Sequence, residues 1–592
     1  MKSLDKILAI NKGRSSFQKI GFLYLLVLIL VSLFLISRSY GLHPIVFADE
    51  YIYNKNARLL PFAQFDFPNF LYFLIYHSTN ICKEGFLDCS RLLNVIFFVG
   101  ASPFIYLVAR MFLSNNVAFF LAVISILGPI NSYTAYFMPE SLYFFCFWVF
   151  AFVLIRLNSE SRAWEYLIPG AVLGITSLVK PHALFLIPPV FLYLLLTRKR
   201  SERPWLRTGI LSISIFVFSV LTIKFLLGFL IAGKSGLTLF GNYSSVAKTT
   251  KFTETFLSAS MFSLWGHILA LVLLFSLPIS ILILSIRKLV ATKFMVDGLL
   301  KIEIFSLFIL VTLLCVVSLY TANVVHDGPY ESINRLHMRY YNFMFPLLMI
   351  IAAARMNQVK DDIKIKLVSC VIIGGLFLYG FFHTLTPFSP DDADCPELRG
   401  FYIILSTFHI LGLIELLSFG IYFFNTKLGA RAYSFVYLPI FLLTSSFYVN
   451  HKRDPKEGRG DRGFFRAGGL YEYAGADLFV GDVDAPGLLY RHDCGGRHPS
   501  YGRMAVSGRC GLCQKGGGAP PDSCRSNSDP CHGDAFPGDP AGSVHAHPSA
   551  RRGEDCFWGG DFSGRAASLK EIFASFVQTL WMIEKLLGAT GR

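Results

Sequence analysis

Long apolar runs recur through the first three quarters of this 592-residue chain, and they constrain its fold more than any other feature. A run of about 20 apolar residues crosses a lipid bilayer as an α-helix. Charged residues make up only 16% of the chain, compared with about 25% in soluble domains. Too few charges remain to cover a soluble surface. The composition therefore excludes a soluble, disordered or collagen-like protein and predicts an all-α polytopic membrane protein.

The runs predict about thirteen transmembrane helices between residues 20 and 450. The first run, Ile20 to Ser37, follows five basic residues, which place residues 1–19 in the cytoplasm by the positive-inside rule. Ser37 to Tyr40 does not resemble a signal-peptide cleavage site, which favours an uncleaved anchor. The other predicted spans are 91–113, 117–136, 141–157, 166–180, 182–196, 208–232, 262–286, 302–324, 340–354, 366–383, 400–424 and 434–449.

The net charge of +15 is explained by membrane orientation rather than by nucleic-acid binding. Most basic clusters, including the one that begins at Arg355, fall between spans on one predicted side, the cytoplasmic side. An odd number of spans places the residues after Tyr448 outside. The predicted outer side instead collects polar residues of both signs, which indicates that the chemistry takes place there. These residues are Asp49, Glu50, Glu140, Lys180, His182, His326, Asp327, Glu331, Arg335, Arg339, Asp391 and Asp392.

The first outer loop, residues 38–90, carries the acidic pair Asp49-Glu50 in an apolar setting. The pair opens a predicted interfacial helix, and residues 70–76 form a second apolar stretch that is too short to span. The acidic pair either begins the helix, where its charge suits the helix dipole, or performs chemistry near the bilayer. Cys82 and Cys89 lie in the same loop as either a disulfide or two free thiols.

Several short motifs resemble the GT-C glycosyltransferases, in particular the bacterial relatives of protein O-mannosyltransferases and of the lipid A aminoarabinose transferase. The resemblance covers roughly residues 15–450 and rests on the order of the motifs and on their common side of the membrane. The motifs are Ala48 to Tyr51, Phe67 to Tyr72, Met138 to Tyr143, Gly174 to Lys180, and Met338 to Tyr341 ahead of Phe345-Pro346.

The resemblance implies a polyprenyl-phosphate-linked sugar as donor, an inverting mechanism and an acceptor reached from the outer face. Such a displacement needs a base for the acceptor hydroxyl and cations for the departing phosphate. Asp49 is the candidate base, and Glu50 would orient the acceptor or help hold a metal. Lys180 and Arg339 are the candidate phosphate ligands, and Glu140 is a possible site acid.

Each assignment has a structural alternative. Lys180 could be a snorkelling lysine at the end of a span, Arg339 could form an ion pair with Glu331, and Glu140 could cap a helix. His182 and His326 are candidate ligands for a divalent metal, although a lone histidine near a membrane is more often simply hydrogen-bonded. Some GT-C enzymes need a metal and others do not, so the cofactor stays open.

The sequence changes character after Asn450. Residues 451–592 contain 25 of the 48 glycines and 6 of the 12 cysteines. We predict a low-order tail over 451–567 and interpret much of it as out-of-frame translation. The alternatives are a disulfide-rich outer module or a zinc site on Cys510, Cys513, Cys524 and Cys531. Residues 568–588 then show the capping and spacing of an amphipathic helix.

The leading hypothesis is a GT-C glycosyltransferase of the bacterial plasma membrane, acting on a glycan, lipid or protein acceptor. A flippase or transporter for lipid-linked sugars is the first alternative, although transporters place ionisable residues at the bilayer midplane and often repeat their halves. An O-antigen polymerase or ligase is the second alternative, although such enzymes usually carry a large late outer loop.

Overall fold

A computed structural model describes residues 2–451 apart from 43, 45, 66, 159, 198–204, 242–252, 293–295, 297, 326–330, 358–362, 391–392 and 403–404. These residues all belong to one unit that spans Met1–Leu488. The predicted tail beyond residue 451 and the amphipathic helix over 568–588 lie outside the described residues. So do His326, Asp327, Asp391 and Asp392.

Helices account for the regular structure of the described residues, which contain no strand and a single isolated bridge between Arg335 and Ser389. The predicted all-α class is confirmed. The α-helices are α1 Lys2–Ser39, α2 Phe47–Arg58, α3 Phe70–His77, α4 Phe86–Gly100, α5 Ser102–Arg110, α6 Asn115–Leu127, α7 Glu140–Ile155, α8 Leu167–Val179, α9 Ile187–Thr197, α10 Trp205–Ala232, α11 Glu254–Ala291, α12 Leu299–Val324, α13 Phe345–Ala354, α14 Ile363–Phe382, α15 Pro396–Tyr402, α16 Leu405–Phe424, α17 Thr426–Ala432 and α18 Leu438–His451.

Eight helical stretches of the described residues are long and apolar enough to cross a membrane, or nine if one bent pair counts as a single span. The predicted number of thirteen is therefore not confirmed. Four shorter apolar helices lie at predicted spans, and each is shorter than the roughly 20 residues of a typical crossing. They cover Glu140–Ile155, Ala163–Val179, Pro181–Thr197 and Asn342–Asn357.

Helices α8 and α10 approach each other closely through two glycines. A Cβ atom at Gly170 would lie 2.6 Å from the Phe216 carbonyl oxygen, and one at Gly174 would lie 2.7 Å from that of Val220. Small residues allow apolar helices to pack backbone against backbone. This contact fixes α8, whose last residue directly precedes Lys180.

Helix α11 is broken near its middle, and the break is repaired by polar side chains. Pro278 lacks an N–H group, so the Leu274 carbonyl loses its helical partner. The Tyr437 hydroxyl donates to that carbonyl at 3.0 Å, and the buried Glu415 carboxylate accepts the Ser276 N–H at 2.9 Å. An apolar bundle retains such a break only when the freed backbone groups find partners. We therefore interpret Glu415 as structural.

Candidate functional site

Asp49 lies in the first turn of α2, as predicted, and forms an ion pair with Arg339 from a distant part of the chain. Its Oδ2 atom is 2.7 Å from Arg339 NH1. The Asp49 side chain is 34% exposed and that of Arg339 only 15%. The predicted base and a predicted phosphate ligand therefore touch each other, although 290 positions separate them.

Glu50 has a different environment from that of its neighbour. It is buried, and both of its carboxylate oxygens accept backbone N–H groups at 2.8 Å, Oε2 from Val46 and Oε1 from Phe137. The first contact closes the start of α2, and the second ties α2 to the segment that precedes α7. The helix-start alternative thus describes Glu50, whereas Asp49 faces Arg339.

Lys180 and Glu140 form a second ion pair, with Nζ 2.9 Å from Oε1 and both side chains buried. Lys180 follows α8 in an extended conformation ahead of Pro181, whose ring cannot continue the helix ladder. Glu140 is the first residue of α7. The ammonium group also lies 5.1 Å from the ring centroid of Tyr340 and 5.8 Å from that of Tyr143, within cation–π range.

The two predicted phosphate ligands line one small cavity. The cavity combines two cations with aromatic and aliphatic side chains. Its lining residues are Tyr143, Lys180, His182, Phe185, Leu313, Val316, Val317, Arg339, Tyr340 and Phe343. A site of this composition can bind an anion that carries an apolar substituent.

Among the described residues, the metal candidates do not gather into a ligand set. His182 stacks on Tyr340 with their ring centroids 4.8 Å apart, and His326 lies outside the described residues. Within the described part of the chain, no three His, Cys, Asp or Glu side chains are grouped so as to hold a metal ion.

The sequence reasoning missed Asp394, which forms a second ion pair with Arg339. This residue is fully buried, and its Oδ1 atom is 3.0 Å from Arg339 Nε. Its Oδ2 atom is 2.7 Å from Arg335 NH2 and 3.2 Å from His337 Nδ1. Burial by itself would raise the pKa of Asp394, but Arg339, His337 and Arg335 lower it well below its ordinary value. The carboxylate is therefore ionised at neutral pH.

The alternative partner expected for Arg339 was wrong. Glu331 pairs with Arg335 at 3.2 Å, whereas Arg339 pairs with Asp49 and Asp394. The only sequence signal for Asp394 was its position two residues after the acidic pair at 391–392. Nothing in that pattern distinguishes a buried carboxylate from solvated ones.

Cys82 and Cys89 form a disulfide, so of the two open alternatives for this pair the disulfide is confirmed. The bridged segment contacts the end of the helix that carries Asp49. The Arg58 guanidinium lies 3.5 Å from the ring centroid of Phe86 and donates from Nε to Asn80 at 2.9 Å. The bridge thus closes a segment that supports α2.

Comparison with known families agrees with this architecture. Residues 66–223 match the family model described as dolichyl-phosphate-mannose-protein mannosyltransferase. The matched segment contains Glu140, Lys180 and His182, whereas Asp49 and Arg339 lie outside it. No curated protein and no solved structure matches the chain significantly.

The family match and the many apolar helices together support a multi-pass membrane glycosyltransferase of the GT-C superfamily. Over residues 66–223, the match bears out the resemblance drawn from the short motifs.

Proposed function

We propose that the protein transfers a sugar from a polyprenyl-phosphate donor to a hydroxyl acceptor at the outer face of the plasma membrane, with inversion at the anomeric carbon. The observation that carries this proposal is the convergence of Lys180 and Arg339 on one cavity, with Asp49 against Arg339. The acceptor is a glycan, a lipid or a protein that presents a hydroxyl group.

The charges of the site suit the change in charge during the reaction. The acceptor oxygen attacks the anomeric carbon, Asp49 accepts the acceptor proton, and the bonding electron pair leaves with the phosphate oxygen. A donor phosphodiester carries one negative charge, and the departing phosphate monoester gains a second. Lys180 and Arg339 would therefore bind the transition state more tightly than the donor, which is the requirement for catalysis.

The apolar part of the cavity suits a prenyl chain next to the phosphate. Leu313, Val316 and Val317 of α12 form an aliphatic wall, and Tyr143 and Tyr340 offer aromatic faces. The Cys82–Cys89 disulfide supports an outer location for the first loop, because disulfides persist in oxidising compartments rather than in the cytosol. A cytoplasmic N-terminus and an outer C-terminus complete the proposed topology.

The test compares the wild type with Asp49→Asn in a bacterial strain that lacks the native gene, by mass spectrometry of extracted polyprenyl-phosphate sugars. We expect one such species to accumulate in the variant and not in the wild type, and its mass would constrain the sugar. Glu84→Gln is the matched control, because Glu84 is an exposed carboxylate of the same loop. Equal lipid profiles for the wild type and Asp49→Asn would overturn the proposal and favour the flippase alternative.

A further inference from the structure

Both cations proposed to bind the donor phosphate already hold a carboxylate of the protein. Asp49 Oδ2 forms an ion pair with Arg339 NH1 at 2.7 Å, and Glu140 Oε1 forms one with Lys180 Nζ at 2.9 Å. A phosphate that enters the cavity must therefore share these cations with the two acids or displace one of them. The proposed function leaves open which acid moves.

The surroundings of the two pairs favour the release of Asp49. Glu140 is 8% exposed, so breaking its pair with Lys180 would leave a buried charge without compensation. Asp49 is 34% exposed and can exchange Arg339 for water. Its release thus carries the smaller desolvation penalty.

Arg339 contacts two carboxylates through different nitrogen atoms, and only the contact with Asp49 is readily exchanged. Its Nε atom lies 3.0 Å from Asp394 Oδ1, and its NH1 atom contacts Asp49. The positive charge of a guanidinium group is delocalised over a rigid plane, so the ion pair with Asp394 can persist while NH1 changes its partner.

Asp394 is itself fixed by contacts that do not involve Arg339. Arg335 donates from Nε to Asp394 Oδ2 at 2.8 Å, and its NH2 atom forms an ion pair with the same oxygen at 2.7 Å. His337 contacts that oxygen as well. The loop of Asp394 is also anchored, because Cys395 Sγ donates to the Leu336 carbonyl at 2.8 Å. Asp394 can therefore keep Arg339 in place when Asp49 leaves.

We propose that Asp49 occupies the anion position of Arg339 in the donor-free protein, and that the donor phosphate replaces it while Asp394, a positioning residue, keeps Arg339 in place. The exchange releases the Asp49 oxygen that Arg339 had engaged, so that the oxygen can accept the acceptor proton. The Asp49 oxygen paired with Arg339 thus becomes available when the donor is bound. This inference rests on the proposed function and adds an order of events to it.

The experiment measures the binding of polyprenyl phosphate, without a sugar, to the purified full-length protein in lipid nanodiscs. Asp49→Asn removes the competing charge, so we expect its dissociation constant to fall by about tenfold although the variant transfers sugar much more slowly. Asp394→Asn loosens Arg339, so we expect its dissociation constant to rise by about tenfold. Glu84→Gln should bind as the wild type does.

Each outcome bears on a separate statement. If the wild type does not bind polyprenyl phosphate, the proposed function fails together with the exchange. If it binds and Asp49→Asn binds equally or more weakly, the exchange alone is overturned. Should Asp394→Asn fail to fold, Arg335→Lys takes its place, because it weakens the contacts of Arg335 with Asp394. An unchanged dissociation constant for a folded variant at either position would overturn the positioning role.

Discussion

Two ion-pair systems lie at opposite ends of α13, and they differ in what surrounds them. Arg339 precedes the helix and joins Asp49 and Asp394 beside the cavity. Arg355 directly follows the helix and pairs with Glu303 at 2.7 Å, with both side chains essentially inaccessible to solvent.

The comparison separates an ion pair that holds helices together from one that can perform chemistry. Glu303 also accepts a hydrogen bond from Ser285 Oγ at 2.8 Å, so the pair links α11, α12 and the end of α13. Both systems use Arg and a carboxylate. Only the one before α13 combines partial exposure with a cavity, so exposure rather than residue type marks the candidate site.

The largest expected effect is the loss of sugar transfer on substitution of Asp49. A general base contributes about 10² to 10⁴ in rate, so Asp49→Asn should slow transfer by that factor and leave thermal unfolding unchanged, because the residue is partly exposed. Transfer to an acceptor and melting of the purified protein would be measured side by side. Activity within threefold of the wild type would exclude Asp49 as the base.

The second expected effect is a loss of stability, rather than of activity, when the ion pair between Arg355 and Glu303 is broken. Arg355→Ala leaves the Glu303 carboxylate buried without its cation, which typically costs about 3–5 kcal/mol. The double variant Glu303→Met with Arg355→Met removes both charges and should recover most of the loss. Denaturant unfolding would measure both variants, and a single variant as stable as the wild type would refute the structural role.

Glu397 has a buried carboxylate with no hydrogen-bond partner on another residue within the described structure. Burial raises its pKa to about 8. The folded state therefore retains the proton up to a higher pH than the unfolded state does. The resulting stability is fully present below pH 4.5. It falls by roughly 1.4 kcal/mol per pH unit as the pH rises from 4.5 to 8.

Glu397→Gln should consequently match the wild type near pH 5 and exceed its stability at pH 9. Thermal unfolding across this range would measure the difference between the two proteins. A constant difference at all pH values would mean that Glu397 does not keep its proton in the folded protein.

The smallest expected effect concerns the disulfide near the candidate site. Its loop is short, so the paired change Cys82→Ser with Cys89→Ser should lower stability by about 2 kcal/mol. We also expect a modest loss of activity, because the bridged segment supports α2. Cys315→Ser, at an exposed free thiol, is the matched control. Reducing agent should lower the activity of the wild type and leave that of the paired variant unchanged. An equal loss in both proteins would mean that the reducing agent does not act through the disulfide.

The sequence predicted individual elements better than their partners. Asp49 was placed at the start of a short helix, and Lys180 at a break before Pro181, because helix starts and prolines leave local signals. Arg355 was assigned to a basic cytoplasmic cluster, whereas the structure buries it against Glu303. Charge counting reports the side of the membrane and does not reveal whether a given charge is solvated.

Sequence alone predicts the all-helical membrane class, the position of most helices and the candidate residues Asp49, Lys180 and Arg339. These follow from apolar run length and local breaks, which are properties of neighbouring residues. The ion pairs of Arg339 with Asp49 and Asp394, and of Lys180 with Glu140, become visible only in the folded chain. These contacts join segments far apart in the chain, and their geometry depends on how the helices pack, which no local pattern encodes.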